Sequence, residues 1–161
     1  NGRSLLASAV DKLSAQLPVG HVLRLRHTVI GARLDLAEGR VADARQGLQQ
    51  ALAQGDLSHD QRTLRHATLN LLARAELQAG DPAAALAHAQ QAVALARAAA
   101  QGFEASAWVG QYLLTLGLAQ QAQGQGEAAR TSWQQAQAQL NATTAPESPA
   151  LIEVRHLLGG Q

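Results

Sequence analysis

The sequence predicts an all-α fold, and three observations carry the prediction. The first is composition: alanine, leucine and glutamine fill 35, 26 and 20 of the 161 positions, while aromatic residues number four. Strong helix formers dominate, and the β-branched and aromatic residues that build sheets are scarce. The second is punctuation, because glycine and proline divide the chain into segments of helical length. The third is spacing: Leu64, Leu71, Leu72 and Ala75 recur at helical intervals, and no stretch alternates as a strand would. At 16.8 kDa the chain has the length of one domain with a real core.

Taken in order, the segment 4–17 stops at Leu17-Pro18-Val19-Gly20, and 21–38 stops at Gly39. The segment 40–54 stops at Gly55-Asp56, and 60–79 at Gly80-Asp81. Next, 82–101 stops at Gly102, and 103–123 at Gly124-Gln125-Gly126. The segment 127–141 runs into Pro146, and a short last segment covers 149–158. Asp81 is placed to cap an orphan N–H, with Pro82 at the first helical position, where its missing N–H costs nothing. Ser148-Pro149 offers the same pair. Gly39, Gly80 and Gly124 suit the left-handed conformation that closes a helix. About eight helices joined by short turns follow.

Three of the turns align with one another. Gly39, Gly80 and Gly124 lie 41 and 44 residues apart. Seven residues before them sit Ala32, Ala73 and Gly117; five after come Ala44, Ala85 and Ala129; twelve after come Ala51, Ala92 and Ala136. Small residues at fixed places on paired helices let two backbones approach closely. Between the small positions of the second helices lie Leu48, Ala89 and Trp133.

In these positions the chain resembles the tetratricopeptide repeat (TPR) family, over roughly residues 21–141. The family carries a small residue in its first helix, a Gly-Asp type of turn, and a small–large–small pattern in its second helix. The resemblance implies a right-handed superhelix, an α-solenoid of antiparallel helix pairs, forming a single domain over 1–161. The hairpins fall at 21–54, 60–101 and 103–141. The segment 4–17 reads as the second helix of a preceding half repeat, and 149–158 as a capping helix. The period exceeds the family's usual length of about 34 residues. The aromatic expected near Asp35, Glu76 and Gln120 is absent, as is the closing proline, so a long-period variant describes the chain better. With no methionine at all, the sequence is expected to be a C-terminal fragment of a larger protein.

By the same resemblance, first helices line a concave face. The positions that map there include Arg26, Arg33, Asn70, Arg74 and Gln111, which form the expected partner-binding set. Arg33 and Arg74 hold one repeat position, a layer apart, and two stacked guanidinium groups make a fork for a carboxylate or phosphate. The residues themselves leave a second reading open, in which Arg33 pairs with Asp35 or Glu38 and Arg74 with Glu76.

Two basic clusters, Arg24/Arg26/His27 and Arg62/Arg65/His66, each open a first helix, where positive charge opposes the macrodipole. They read as a solvated face or as a site for an acidic partner. Asp56 and Asp60 beside the second cluster, with no interleaved aromatic, argue against nucleic acid. Trp133 reads as core. Phe103, Trp108 and Tyr112, at spacings of five and four, read as packing along helix 103–123, with an exposed partner-binding patch as the alternative.

Chemistry is sparse. The chain has no cysteine, no histidines paired at i, i+4, no phosphate-binding Gly-x-x-x-x-Gly-Lys loop and no Gly-x-Ser-x-Gly elbow. Carboxylates sit beside arginines, as in Asp43/Arg45 and Glu153/Arg155, and read as surface pairs. No catalytic residue, metal site or cofactor is expected. The net charge of +1 gives no global drive toward nucleic acid or membrane, and no apolar run approaches a membrane span.

The expected function is therefore a non-catalytic protein-interaction module that binds a peptide or protein partner, of acidic character, on its concave face. One alternative is a sensory or regulatory segment of a larger bacterial signalling protein, a transcription regulator or protein kinase, in the cytoplasm. Twelve arginines against one lysine fit a GC-rich bacterial genome. Another is self-association through the apolar edge of 4–17, made by Leu5, Leu6, Val10, Leu13 and Leu17.

Overall fold

Three glycine turns set the architecture. Gly39, Gly80 and Gly124 take φ of 76°, 75° and 75°, where a side chain would be strained. Each turn closes with the same two hydrogen bonds. The glycine N–H donates to Leu36, Leu77 or Gln121 O at 3.2, 3.2 and 2.9 Å. The N–H of the following residue donates to Asp35, Glu76 or Gln120 O at 2.8, 2.9 and 2.9 Å. The last carbonyls of the helix are thereby satisfied and the chain reverses within three residues. The self-similarity of the sequence is thus a repeat of one turn geometry.

The computed structural model describes residues 21–54 and 59–159, together with positions 4, 5, 8, 12 and 16–18. Most of the half repeat expected at 4–17 lies outside the described residues. Seven helices and no strand occur among them. They are α1 (Val22–Ala37), α2 (Val41–Gln54), α3 (His59–Gln78), α4 (Pro82–Ala99), α5 (Ala107–Ala122), α6 (Gly126–Thr143) and α7 (Pro149–Gly159).

Short turns make α1/α2, α3/α4 and α5/α6 antiparallel hairpins, and each helix also packs on the next in sequence. The first helices α1, α3 and α5 touch one another across repeats, and α7 continues that row against α5. Among the described residues the second helices α2, α4 and α6 make no such contact with each other. First helices therefore form a close inner row and second helices an outer, splayed one. That is the TPR-like solenoid that the repeat predicts.

All nine small repeat positions are buried: Ala32, Ala44, Ala51, Ala73, Ala85, Ala92, Gly117, Ala129 and Ala136. Leu48, Ala89 and Trp133 between them are fully buried as well. Two apolar clusters result. One joins Leu25, Val29 and Leu48 to Leu72; the other joins Leu69 and Val93 to Val109, Leu113, Trp133, Leu140, Leu151 and Val154.

Capping fixes the helix starts. Asp81 Oδ1 accepts from Ala84 N at 3.1 Å, with Pro82 in the first turn, as the sequence predicts. The third hairpin differs from expectation. Gly102, at φ 90°, ends the turn after α4, and Ser106 caps a helix that begins at Ala107 rather than 103. Ser106 Oγ accepts from Val109 N at 3.4 Å, while Ser106 N–H donates to Gln139 Oε1 at 2.8 Å. Both bonds are spent on an extended 103–106 connection, so Phe103 lies outside the helix.

Candidate functional site

The inner row encloses an open groove of about 460 Å³. α1 supplies Arg33 and α3 supplies Asn70 and Arg74. α5 contributes Trp108, Gln111 and Tyr112, and α7 closes the far end with Pro149 and Glu153. Asn70 precedes Arg74 by four residues, so both rise from one face of α3. Of the sequence-derived set, Arg33, Asn70, Arg74 and Gln111 come together here. Arg26 is exposed and does not line the groove.

Asn70 is 8% exposed, and its Oδ1 is buried with no hydrogen-bond partner among the described residues. An orphaned amide oxygen in a low-dielectric wall costs roughly 1–3 kcal/mol unless something donates to it. A ligand N–H entering the groove meets that need.

Among the described residues Arg33 and Arg74 are left without ion pairs because their sequence neighbours are engaged elsewhere. Arg40, from the first turn, donates to Asp35 Oδ1 at 2.7 and 3.0 Å and pairs with Glu38. Glu76 turns away into the interior, where Oε2 lies 2.8 Å from His88 Nδ1. Arg33 and Arg74 are exposed and make no ion pair among the described residues. Internal pairing of these two arginines, the second reading of the sequence, does not occur there.

The groove floor overturns part of the aromatic expectation. Tyr112 is buried, but Trp108 is 49% exposed inside the groove and Phe103 is 75% exposed outside it. Only Trp133 and Tyr112 serve the core. Beneath Trp108 lies His66, 1% exposed, with ring centroids 5.3 Å apart; its Nδ1 is 2.9 Å from the Tyr112 hydroxyl. The sequence puts His66 on a solvated basic face, yet it belongs to the buried stripe of α3. Nε2 of His66 has no partner.

Burial lowers the His66 pKa and raises that of Tyr112. The native state therefore resists the proton that the unfolded chain accepts near pH 6.5. The stability tied to neutral His66 is whole above that value and declines as pH falls below it. The urea midpoint should drop between pH 7 and pH 5, and His66→Gln should flatten that dependence by up to about 1.4 kcal/mol per pH unit. Equal slopes in both proteins would refute the assignment.

The remaining basic residues scatter. Arg24 Nη1 donates to Leu17 O at 3.0 Å, and the side chain of Arg62 lies outside the described residues. The expected pairs Asp43/Arg45 and Glu153/Arg155 are replaced. Arg45 reaches Asp81 at 4.0 Å, Asp43 meets Arg40 at 3.8 Å, and Arg155 donates to Asn141 Oδ1 at 3.2 Å. Two-residue spacing puts side chains on different helix faces, so neither sequence pair could meet. Glu153 is left exposed on the groove. For Trp108 the exposed alternative of the sequence reading holds, while Glu153 is the charged groove residue that sequence reasoning missed. For Glu153 a signal existed, because Leu151 and Val154 mark the buried side of α7.

Among the described residues no group of three or more His, Asp or Glu side chains could hold a metal ion. No described helix is long and apolar enough to cross a membrane.

No protein-family model matches the chain, and no curated protein matches it. Solved structures do. A Podosopora anserina protein assigned as a kinesin light chain, with nearly identical TPR-like repeats, superposes with a TM-score of 0.74 at 28% identity. A point variant of that protein gives 0.75 at 27%. Each match covers 98% of this chain and 74% of the other.

Proposed function

We propose that this TPR-like solenoid is a protein-interaction module that holds an extended, acidic peptide segment in the groove of its inner row. The observation that carries the reading is the buried Asn70 Oδ1, in a groove it shares with two exposed arginines, none of the three having a polar or ionic partner among the described residues. An extended chain presents N–H groups at regular intervals, and one of them satisfies Asn70. Carboxylates on the same chain meet Arg33 and Arg74, where charge-assisted bonds are stronger than neutral ones. The half-exposed indole of Trp108 gives an apolar side chain a rigid surface at low entropic cost. TPR-like neighbours support a scaffold role of this kind in general.

Selection from a displayed library of random peptides tests the proposal. Enriched peptides should be acidic, and Arg33→Glu/Arg74→Glu should weaken their binding about tenfold or more, with an unchanged melting curve. Wild-type affinity in the double variant, or no enrichment at all, defeats it.

A further inference from the structure

The groove carries three charged side chains, and their order along the solenoid is informative. Arg33 belongs to α1 and Arg74 to α3, the first two helices of the inner row. Glu153 belongs to α7, the fourth. Between them α5 presents Trp108, Gln111, Tyr112 and Leu114, and burial keeps the Tyr112 hydroxyl neutral. All three charges are exposed, and none makes an ion pair among the described residues. A ligand that crosses the row therefore meets cation, cation, neutral and apolar surface, then anion.

We infer that the groove is built for a dipolar peptide, with acidic side chains toward the α1–α3 end and a basic residue seated on Glu153. The inference rests on the peptide-binding reading above and adds polarity and length to it. Uniformly acidic segments would press a carboxylate against Glu153, so the α7 end rejects what the α1–α3 end attracts. Neighbouring helices of such a row pack roughly 8–10 Å apart. Two steps, from α3 to α7, span about 20 Å, or about six extended residues at roughly 3.3 Å each. The basic residue belongs about six positions from the acidic residue that meets Arg74. The partner is thus an extended segment of mixed charge, acidic at one end and basic at the other.

Synthetic, fluorescein-labelled peptides test this by anisotropy on the full chain. The parent peptide carries two acidic residues, a neutral apolar spacer and one lysine, about six residues apart. Replacing its lysine with glutamine should weaken binding to wild type roughly fivefold. The same replacement should have no effect on Glu153→Gln. Glu153→Lys should prefer a peptide whose lysine is replaced by glutamate. Shortening the spacer to two residues should abolish the lysine's contribution. Suppose peptides bind and Arg33→Glu/Arg74→Glu weakens them, yet the lysine matters equally in wild type and Glu153→Gln. The dipolar inference then falls while the groove reading stands. If none of these peptides binds, both fall.

Discussion

Trp133→Ala is expected to cost about 3–5 kcal/mol, which lowers Tm by roughly 10 °C or more in a chain of this size. Trp133 is the largest fully buried side chain and sits between Ala129 and Ala136, so no neighbour can lean in to fill the space. Its indole lies on Gly117 of the facing helix. A Cβ built at Gly117 would collide with Trp133 Nε1 and come within 2.5 Å of Cδ1. The ring is rigid there and cannot yield as a flexible side-chain end would.

Gly117→Ala alone should therefore destabilise by about 1–3 kcal/mol through overpacking. That loss exceeds the gain of up to about 1 kcal/mol from replacing a helical glycine. In the Trp133→Ala background the same substitution loses its clash and keeps its propensity gain, so it should become stabilising. Urea denaturation of the four proteins gives the coupling directly. Additive effects would show that the glycine and the tryptophan do not define each other's positions. Damage should also be local, because each repeat leans only on its neighbours. Hydrogen exchange should rise first in α5, α6 and α7.

That pair also shows why the repeat is legible in the sequence. A position that admits only alanine or glycine is written into the chain by sterics. Nine such positions, in register with three turn glycines, fix the pairing of the helices. Arg33 and Arg74 can be placed on one face for the same reason, since register carries over from repeat to repeat. The orientation of α5 cannot be read that way. Phe103 looks like a helical residue, and the start of α5 at Ser106 is tied to a bond from Ser106 N–H to Gln139, 33 residues away. The real start leaves Phe103 outside the helix and puts Trp108 in the first turn of α5, half-exposed on the groove.

The fate of α3's ionisable residues is partly readable. His66, Leu69, Leu72, Ala73 and Glu76 follow helical spacing, and all five are buried. Such a stripe with a titratable group at each end needs partners from other helices. Tyr112 and His88, at sequence separations of 46 and 12, supply them. No local pattern in one sequence names those partners.

The second large effect concerns one of them. His88→Ala is expected to destabilise the fold by roughly 3 kcal/mol, because it strips the partner from a carboxylate buried at the junction of α3 and α4. His88 Nδ1 lies 2.8 Å from Glu76 Oε2, a hydrogen bond across the hairpin of α3 and α4. Removing the imidazole takes away the hydrogen-bond partner of Oε2 while the side chain of Glu76 stays only 2% exposed. The sharper test is the double variant Glu76→Leu/His88→Leu, which removes the charge together with its partner. Replacing both members of a buried pair with apolar residues is often neutral, so the double variant should recover most of what His88→Ala loses. Losses that simply add would mean that packing, not the bond, holds the hairpin.

The pair also bears on the groove. Glu76 lies two residues from Arg74 on the opposite face of α3. In Glu76→Leu/His88→Leu the peptide affinity of the groove should be unchanged. In His88→Ala the same two-residue spacing leaves the Glu76 carboxylate on the far face from Arg74, where it cannot compete with an acidic ligand. Groove affinity should therefore equal wild type in the single and the double variant alike, and a loss confined to His88→Ala would show that the pair sets the groove face of α3.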